Sequence, residues 1–192
     1  ELLRTEIAEP LGVADELWFG VPETELGRLA RLEDDPVASA LDLPPDALFR
    51  GLAPPAVSPN AEFGNRPDVL RADIPAGGKL TARAIARMYA ALLDDVDGVR
   101  LLPAERVATM TRVAYVGPDE IFGMPSAWSL GLACGRPGKE PGAPDTWFGW
   151  GGFGGGYAGM DATTHTTLAI NKNRLGFGLE TAERITATVT AG

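Results

Sequence analysis

The chain has 192 residues, 45% of them hydrophobic and 22% charged, which is enough apolar material for one real core and excludes a disordered tail. Lys and Arg number 17 against 26 Asp and Glu, a formal charge of -9. The basic residues are scattered, so no cationic face for phosphate backbones is expected and nucleic acid is not a partner. The single cysteine, Cys134, and the single histidine, His165, exclude an internal disulfide, a thiolate zinc site and a multi-histidine metal cluster; no metal or other cofactor is expected.

No apolar run approaches the roughly 18 residues of a spanning helix, and Glu1-Leu-Leu-Arg-Thr-Glu6 lacks the order of a signal peptide. The expectation is a soluble chain with no membrane span. The lone cysteine favours the cytosol, although localisation stays open because a start inside a pattern says nothing of what precedes it. Glu1 to Ala8 places Leu2, Leu3 and Ile7 on one helical face and stops at Pro10-Leu-Gly12. It has no N-cap, which suggests a longer polypeptide at this end.

From Gly20 to Pro75 the prolines crowd together with short apolar clusters such as Leu41-Asp-Leu-Pro-Pro45. This reads as short helices and irregular connections in which Trp18, Phe19, Leu48, Phe49 and Phe63 need burial. Thr81 is the expected N-cap of the clearest helix, with Ile85, Met88, Tyr89, Leu92 and Leu93 as one apolar stripe. The acidic run Asp94-Asp-Val-Asp-Gly98 lacks the ligand spacing of a calcium loop and reads as a solvated helix end. Pro103 fits the first turn of a second helix running through Met110, with Val107 and Met110 facing inward.

After Met124-Pro-Ser126 the chain turns to strands and glycines. Trp128 to Cys134 alternates and predicts one strand, and Thr146 to Trp150 predicts another. Gly156 to Asp161 and Thr166 to Asn171 predict an antiparallel hairpin turning through Ala162-Thr-Thr-His165. Glu180 to Thr190 predicts a terminal helix over the sheet, with Ala182, Ile185 and Val189 at helical spacing. The whole is an α+β chain of one domain or part of one, mainly helical and irregular over 1–125 and strands with a C-terminal helix over 126–192.

The unusual feature is Phe148-Gly-Trp-Gly-Gly-Phe-Gly-Gly-Gly-Tyr157. Gly149 to Gly154 satisfies G-x-G-x-x-G, but a dinucleotide fingerprint needs a helix at its third glycine and here a hairpin is expected. Glycine inside a strand marks a close approach by another backbone, a side chain or a ligand. Two readings follow: a glycine-rich edge strand along which a substrate lies, offering N–H groups to an oxyanion, or a bulged strand packed under Trp147, Trp150 and Phe153. His165 reads as a solvated turn residue and Cys134 as a small buried one. Ser39, Ser58, Ser126 and Ser129 have no lysine at the third following position and none lies in G-x-S-x-G, so no catalytic nucleophile or base is identifiable.

Glu9-Pro-Leu-Gly12, Ile74-Pro-Ala-Gly-Gly78 leading into Thr81 to Tyr89, Leu101-Leu-Pro103, Phe148 to Gly156 and Asn171-Lys-Asn-Arg174, in this order, resemble the C-terminal half of serine beta-lactamase-like hydrolases. That family includes class C beta-lactamases, penicillin-binding DD-peptidases and carboxylesterases. The resemblance implies the beta-lactamase/transpeptidase-like fold, in which a Ser-x-x-Lys, a Tyr-x-Asn or similar loop, and a Lys-Thr-Gly, His-x-Gly or Trp-x-Gly triplet meet in a cleft. Trp150-Gly151-Gly152 stands in the place of the triplet, and the amide of Phe153 in the place of the strand's oxyanion donor. These four residues are the implied substrate-binding set. Tryptophan instead of Lys or His removes the cation that would attract a substrate carboxylate, which favours esters over beta-lactams.

The other two motifs have no counterpart. Tyr89, Tyr115 and Tyr157 are followed two residues later by Ala91, Gly117 and Gly159, and in relatives both motifs lie upstream of the region matching Glu1. The implied function is therefore the C-terminal segment of a carboxylesterase-type hydrolase acting on a small-molecule ester or amide through an acyl-enzyme. Alone it should be inactive, its missing half or a self-associated copy covering the open edge. The alternative is a catalytically inactive binding or structural domain using the same sheet and glycine groove.

Overall fold

The computed structural model describes residues 1–36, 46, 48–51, 59–74, 77–176 and 178–190. The expected cluster at 41–45, the side chain of Phe49 and part of the 74–78 turn lie outside them. In chain order the elements are a π-helical turn Leu3–Ala8, β1 (Leu17–Trp18), a 3-10 helix Glu23–Arg28, β2 (Glu33–Asp34) and a 3-10 turn Leu48–Gly51. Then follow α1 (Ala61–Gly64), α2 (Pro67–Arg71), β3 (Lys79–Leu80), α3 (Ala82–Leu93) and α4 (Ala104–Met110). The strands β4 (Tyr115–Pro118), β5 (Pro125–Trp128), β6 (Ala133–Cys134), β7 (Trp147–Gly151), β8 (Tyr157–Asp161), β9 (Thr167–Ile170) and β10 (Arg174–Leu175) precede α5 (Glu180–Thr190).

Six strands in the order β4-β5-β6-β7-β8-β9 form an antiparallel meander. Two small pairs stand apart from it, β1 with β3 inside the irregular region and β10, after β9, with β2. The asparagines of the 171–174 segment act as clamps: Asn171 donates to the Leu80 carbonyl (2.7 Å) and Asn173 to that of Arg31 (3.0 Å). Arg174 pairs with Asp35 at 3.1 Å.

The helix α3 organises the core. Thr81 caps it by accepting from the Ala84 amide at 3.0 Å, a cap worth about 1 kcal/mol. Its small residues Ala84 and Ala91 let the N-terminal segment approach, so that Ala8, Leu11, Val13 and Leu17 pack there with Leu3 and Ile7 around them. Its large residues Tyr89 and Leu93 face the sheet and meet Phe148, Met160 and Val107. Phe148 and Met160 are register partners on β7 and β8, and burying each stabilises by about 1.5–3 kcal/mol. The opposite sheet face carries Tyr157 and Ile170 under Ala182 of α5.

Several expectations change. Trp128 to Cys134 is not one strand: Gly131 takes φ +92° and the Ser129 amide donates to the Leu132 carbonyl at 2.9 Å. The chain therefore reverses there into the β5–β6 hairpin. The α5 helix buries Ala182 and Thr186, while Ile185 and Val189 are exposed, because its inward face is rotated by one position from the expected stripe. Phe19, Leu48 and Leu2 are exposed rather than buried. Strand β4 had no alternating signal; both of its valine and tyrosine side chains are exposed.

Candidate functional site

The glycine tract continues a sheet. Five residues of β7 pair with β8, from Trp147↔Asp161 to Gly151↔Tyr157, and the chain then turns tightly: Gly152 donates to the Gly156 carbonyl (2.8 Å) and Gly155 to that of Gly152 (2.9 Å). Gly155 has φ +77°, a conformation open to glycine and costly for other residues. No helix opens at the tract, which removes the dinucleotide reading.

The strand is interior, not an edge as the sequence suggested. Ala133 and Cys134 of β6 stand opposite Gly149 and Phe148. Trp150 and Gly151 run on past the end of that short strand. The ring of Trp128, from the end of β5, stacks on Trp150 there, with centroids 4.7 Å apart and planes at 30°. Trp150 is 44% exposed, whereas Trp147 on the same strand is 1% exposed.

Packing accounts for part of the glycine content. A β-carbon on Gly149 would stand 2.7 Å from the Tyr157 hydroxyl, and one on Gly151 would stand 3.0 Å from Leu179. Gly152 is different, for the nearest atom to a β-carbon there is the Gly156 carbonyl oxygen at 3.8 Å. At Gly149 the β8 backbone at Ala158 and Gly159 stands as close as the tyrosine, at Gly151 the Leu179 side chain fills the space, and at Gly152 a β-carbon would make ordinary contact only. The packing neighbours are thus β8, Tyr157 and Leu179 and not the expected Trp147, Trp150 and Phe153. Phe153 is half-buried in the turn.

The chemistry near the sheet is neutral or committed. The hydroxyls of Ser126 and Ser129 donate to the carbonyls of Met124 and Leu132, at 3.4 and 3.2 Å. Ser39 and Ser58 lie outside the described residues. Burial pushes the Cys134 thiol up, against an opposing hydrogen bond with Ser129, and the cysteine is half-buried rather than enclosed. Burial likewise raises the phenols of Tyr89 and Tyr157, with Tyr89 and Asp145 adding to the shift at Tyr157. Burial lowers the Lys79 ammonium, which donates to the Gly77 carbonyl at 2.5 Å.

His165 sits in the β8–β9 turn at φ +55°, where its Nδ1 meets the carboxylate of Asp94 at the end of α3. It is more than a solvated turn residue, for it bridges the hairpin to the helix. Of the acidic loop after α3, Asp95 accepts from the Gly98 amide (2.7 Å) and Asp97 pairs with Arg87. Among the described residues, no group of three His, Cys, Asp or Glu side chains gathers as a metal set. No described helix is long and apolar enough to cross a membrane. A separate cavity of about 520 Å³, lined by Arg31, Leu32, Ala61, Glu62 and Asn65 among others, lies in the irregular region away from the glycine strand.

Trp128 is the residue that sequence reasoning missed. Its partner is 22 positions away, and only the reversal at Gly131, which brings β5 beside the end of β6, places the two indoles together.

Comparison with known proteins bears on the family and the fold. A family model described as Beta-lactamase matches residues 1–191. The esterase/beta-lactamase LipL of Mycobacterium tuberculosis is 34% identical over 190 residues, covering 91% of this chain and 42% of that protein. Among solved structures, a family VIII carboxylesterase superposes with TM-score 0.75 at 26% identity, over 95% of this chain and 50% of the other. A penicillin-binding protein homologue from Caulobacter crescentus superposes with TM-score 0.69 at 30% identity, over 93% of this chain and 47% of the other. EstA from Arthrobacter nitroguajacolicus Rue61a shares the fold at TM-score 0.75 and 22% identity, over all of this chain and 54% of its own. The chain spans about half the length of these relatives. It belongs to the Beta-lactamase family of hydrolases and esterases, with the mixed fold of antiparallel sheet and C-terminal helix common to them.

Proposed function

We propose that this chain supplies one wall of the acyl-transfer cleft of a carboxylesterase-type serine hydrolase. In this reading the nucleophile and its base come from polypeptide outside residues 1–192. The observation that carries it is the half-exposed Trp150 followed by Gly151 and the unobstructed Gly152 at the end of β7. That side of the strand offers an apolar wall and a backbone that a substrate can approach. The Phe153 amide serves as an oxyanion donor, the second donor being the amide of the absent nucleophile. The acyl-enzyme forms when the serine attacks the ester carbonyl and the alcohol leaves, and water then releases the acid.

The absence of Ser-x-x-Lys from the sequence means that the isolated chain has no covalent route. Mixed with, or joined to, a polypeptide carrying that motif, it should hydrolyse p-nitrophenyl butyrate and permit labelling of the added serine by a fluorophosphonate. Labelling of residues 1–192 alone would overturn this account of the nucleophile.

A second reading, a non-catalytic binding domain, draws support from the apolar side chains exposed on and beside β4 and β5, including Val113, Val116 and Leu130. It predicts tight association with a partner and no hydrolysis in any combination.

A further inference from the structure

We infer that Trp128, through its stack on Trp150, determines specificity, the two indoles together seating an uncharged aromatic or branched aliphatic group carried by the substrate ester. The inference rests on the proposed role of β7 as a cleft wall and names the substrate class that such a wall selects.

Exposure is the first observation. Trp150 keeps 44% of its surface open although Phe148, two residues earlier on the same side of the strand, is buried. Large aromatic surface held in water on a paired strand is the usual mark of a contact surface. Rigidity is the second. Trp150 is held by its register with Ala158 on β8, and the Trp128 ring supports it at 4.7 Å. A stacked pair offers a broad apolar face at little entropic cost, because tryptophan has two side-chain torsions to fix.

Charge is the third observation. The neighbours of the two indoles in sequence and register, Tyr115, Ala127, Ser129, Ala133, Gly149, Gly151 and Ala158, are all uncharged. A carboxylate placed against these neighbours would lose water without gaining a charged partner from them, whereas a neutral ring or branched chain gains from the burial. Position is the fourth, since Trp150 stands three residues before Phe153. A group seated on the indoles thus belongs beside the reacting carbonyl. The acyl side and the alcohol side of an ester can both supply such a group, and the probes below separate them.

The test is a titration of residues 1–192 observed at the indole N–H resonances. Phenylacetamide mimics an acyl group, benzyl alcohol mimics a leaving alcohol, phenylacetate adds a charge and acetamide lacks the ring. Phenylacetamide or benzyl alcohol should shift Trp128 and Trp150 in a saturable manner and leave the buried Trp147 unmoved, the tighter of the two identifying the side of the ester. Phenylacetate should bind at least about tenfold more weakly, and acetamide should cause no shift.

Trp128→Leu should weaken the aromatic probe about tenfold, and Trp128→Phe should stay within about threefold of the parent. An unmoved Trp147 resonance shows that each variant is folded. Equal binding of phenylacetate, unchanged affinity in Trp128→Leu, or no shift at either indole would overturn the proposal. Shifts without hydrolysis in the assembled enzyme would remove the catalytic reading alone. Hydrolysis without shifts would remove the indole seat alone.

Discussion

Tyr157 and Gly159 occupy one space on β8: the phenol of Tyr157 folds back along its own strand, and a β-carbon at Gly159 would overlap the hydroxyl. The same ring reaches Gly149 on the neighbouring strand, the register partner of Gly159. Gly159→Ala and Gly149→Ala should therefore each cost about 1–3 kcal/mol by overpacking. Gly152→Ala makes only an ordinary contact with the Gly156 carbonyl and should change stability by no more than about 0.5 kcal/mol. Denaturant unfolding of the three variants checks this. Equal losses at all three would show that the glycines share a backbone requirement and not a packing one.

The hydroxyls of Tyr157 and Thr186 are buried without a hydrogen-bond partner among the described residues, both on the sheet face under α5. Nearby, Arg136 links Asp145, at 3.2 Å, to Thr190, at 2.6 Å. A buried hydroxyl that makes no bond destabilises by its desolvation, so removing it at constant shape should help. Thr186→Val and Tyr157→Phe are expected to raise the unfolding free energy measured in urea, by about 1 kcal/mol each. A drop of that size would mean that each hydroxyl bonds a solvent molecule in the interior.

Asp161 supports the turn into β9. Its carboxylate accepts from the amides of Thr163 (2.8 Å) and Thr164 (3.2 Å). Burial opposes its ionisation, but these amides and the hydroxyls of Thr146 and Thr164 outweigh that and bring it below the ordinary carboxylate range. A depressed carboxyl contributes stability that is fully present above the unfolded-state value, about 3.9, and is lost as pH falls through the lower folded value. Unfolding free energy should thus decline below about pH 4, and Asp161→Asn should flatten that decline while costing about 1–3 kcal/mol at pH 7. An unchanged acid limb in Asp161→Asn would assign the decline to other carboxylates.

Legibility followed locality. Thr81 and the stripe from Ile85 to Leu93 carry their own cap and period, so α3 was readable to within a residue. The β8–β9 hairpin was readable for the same reason, its turn lying inside one short segment. The β5–β6 reversal was not, because Trp128 to Cys134 alternates correctly and the single Gly131 that breaks it resembles any strand glycine. The inward face of α5 is not legible because Thr186, a polar residue, fills the fully buried position. At the site, Trp150 to Phe153 could be singled out from composition and resemblance, but Trp128 depends on tertiary register. That Gly149 is crowded by the β8 backbone and the Tyr157 hydroxyl while Gly152 is not crowded is equally a matter of packing between strands.

His165 adopts φ +55°, where a β-branched residue is strained and glycine is not. Its pairing with Asp94 is about half exposed on both sides, so the pair itself contributes about 0–1 kcal/mol. His165→Gly should consequently be near neutral, the relief of backbone strain offsetting the lost pair, whereas His165→Val should destabilise by about 1–2 kcal/mol. Thermal unfolding of both variants at one pH decides. A loss in His165→Gly as large as that in His165→Val would show that the bridge to α3 outweighs the turn.

On the proposed role of β7, Trp150 takes the place that Lys, His or Trp fills in the family's triplet, and it presents a neutral face beside Gly151 and Gly152. A lysine there would place an ammonium within reach of a substrate carboxylate, a charge-assisted contact stronger than a neutral one. It would also remove the indole on which Trp128 stacks, so that the seat for a neutral ring is lost while the seat for an anion is gained. In the chain assembled with a nucleophile-bearing segment, Trp150→Lys should therefore shift kcat/KM by about tenfold towards a carboxylate-bearing ester and away from its uncharged analogue. Specificity is a ratio, so the two substrates must be compared in the same preparation. A fall in both by the same factor would mean that Trp150 supports the strand and does not choose the substrate.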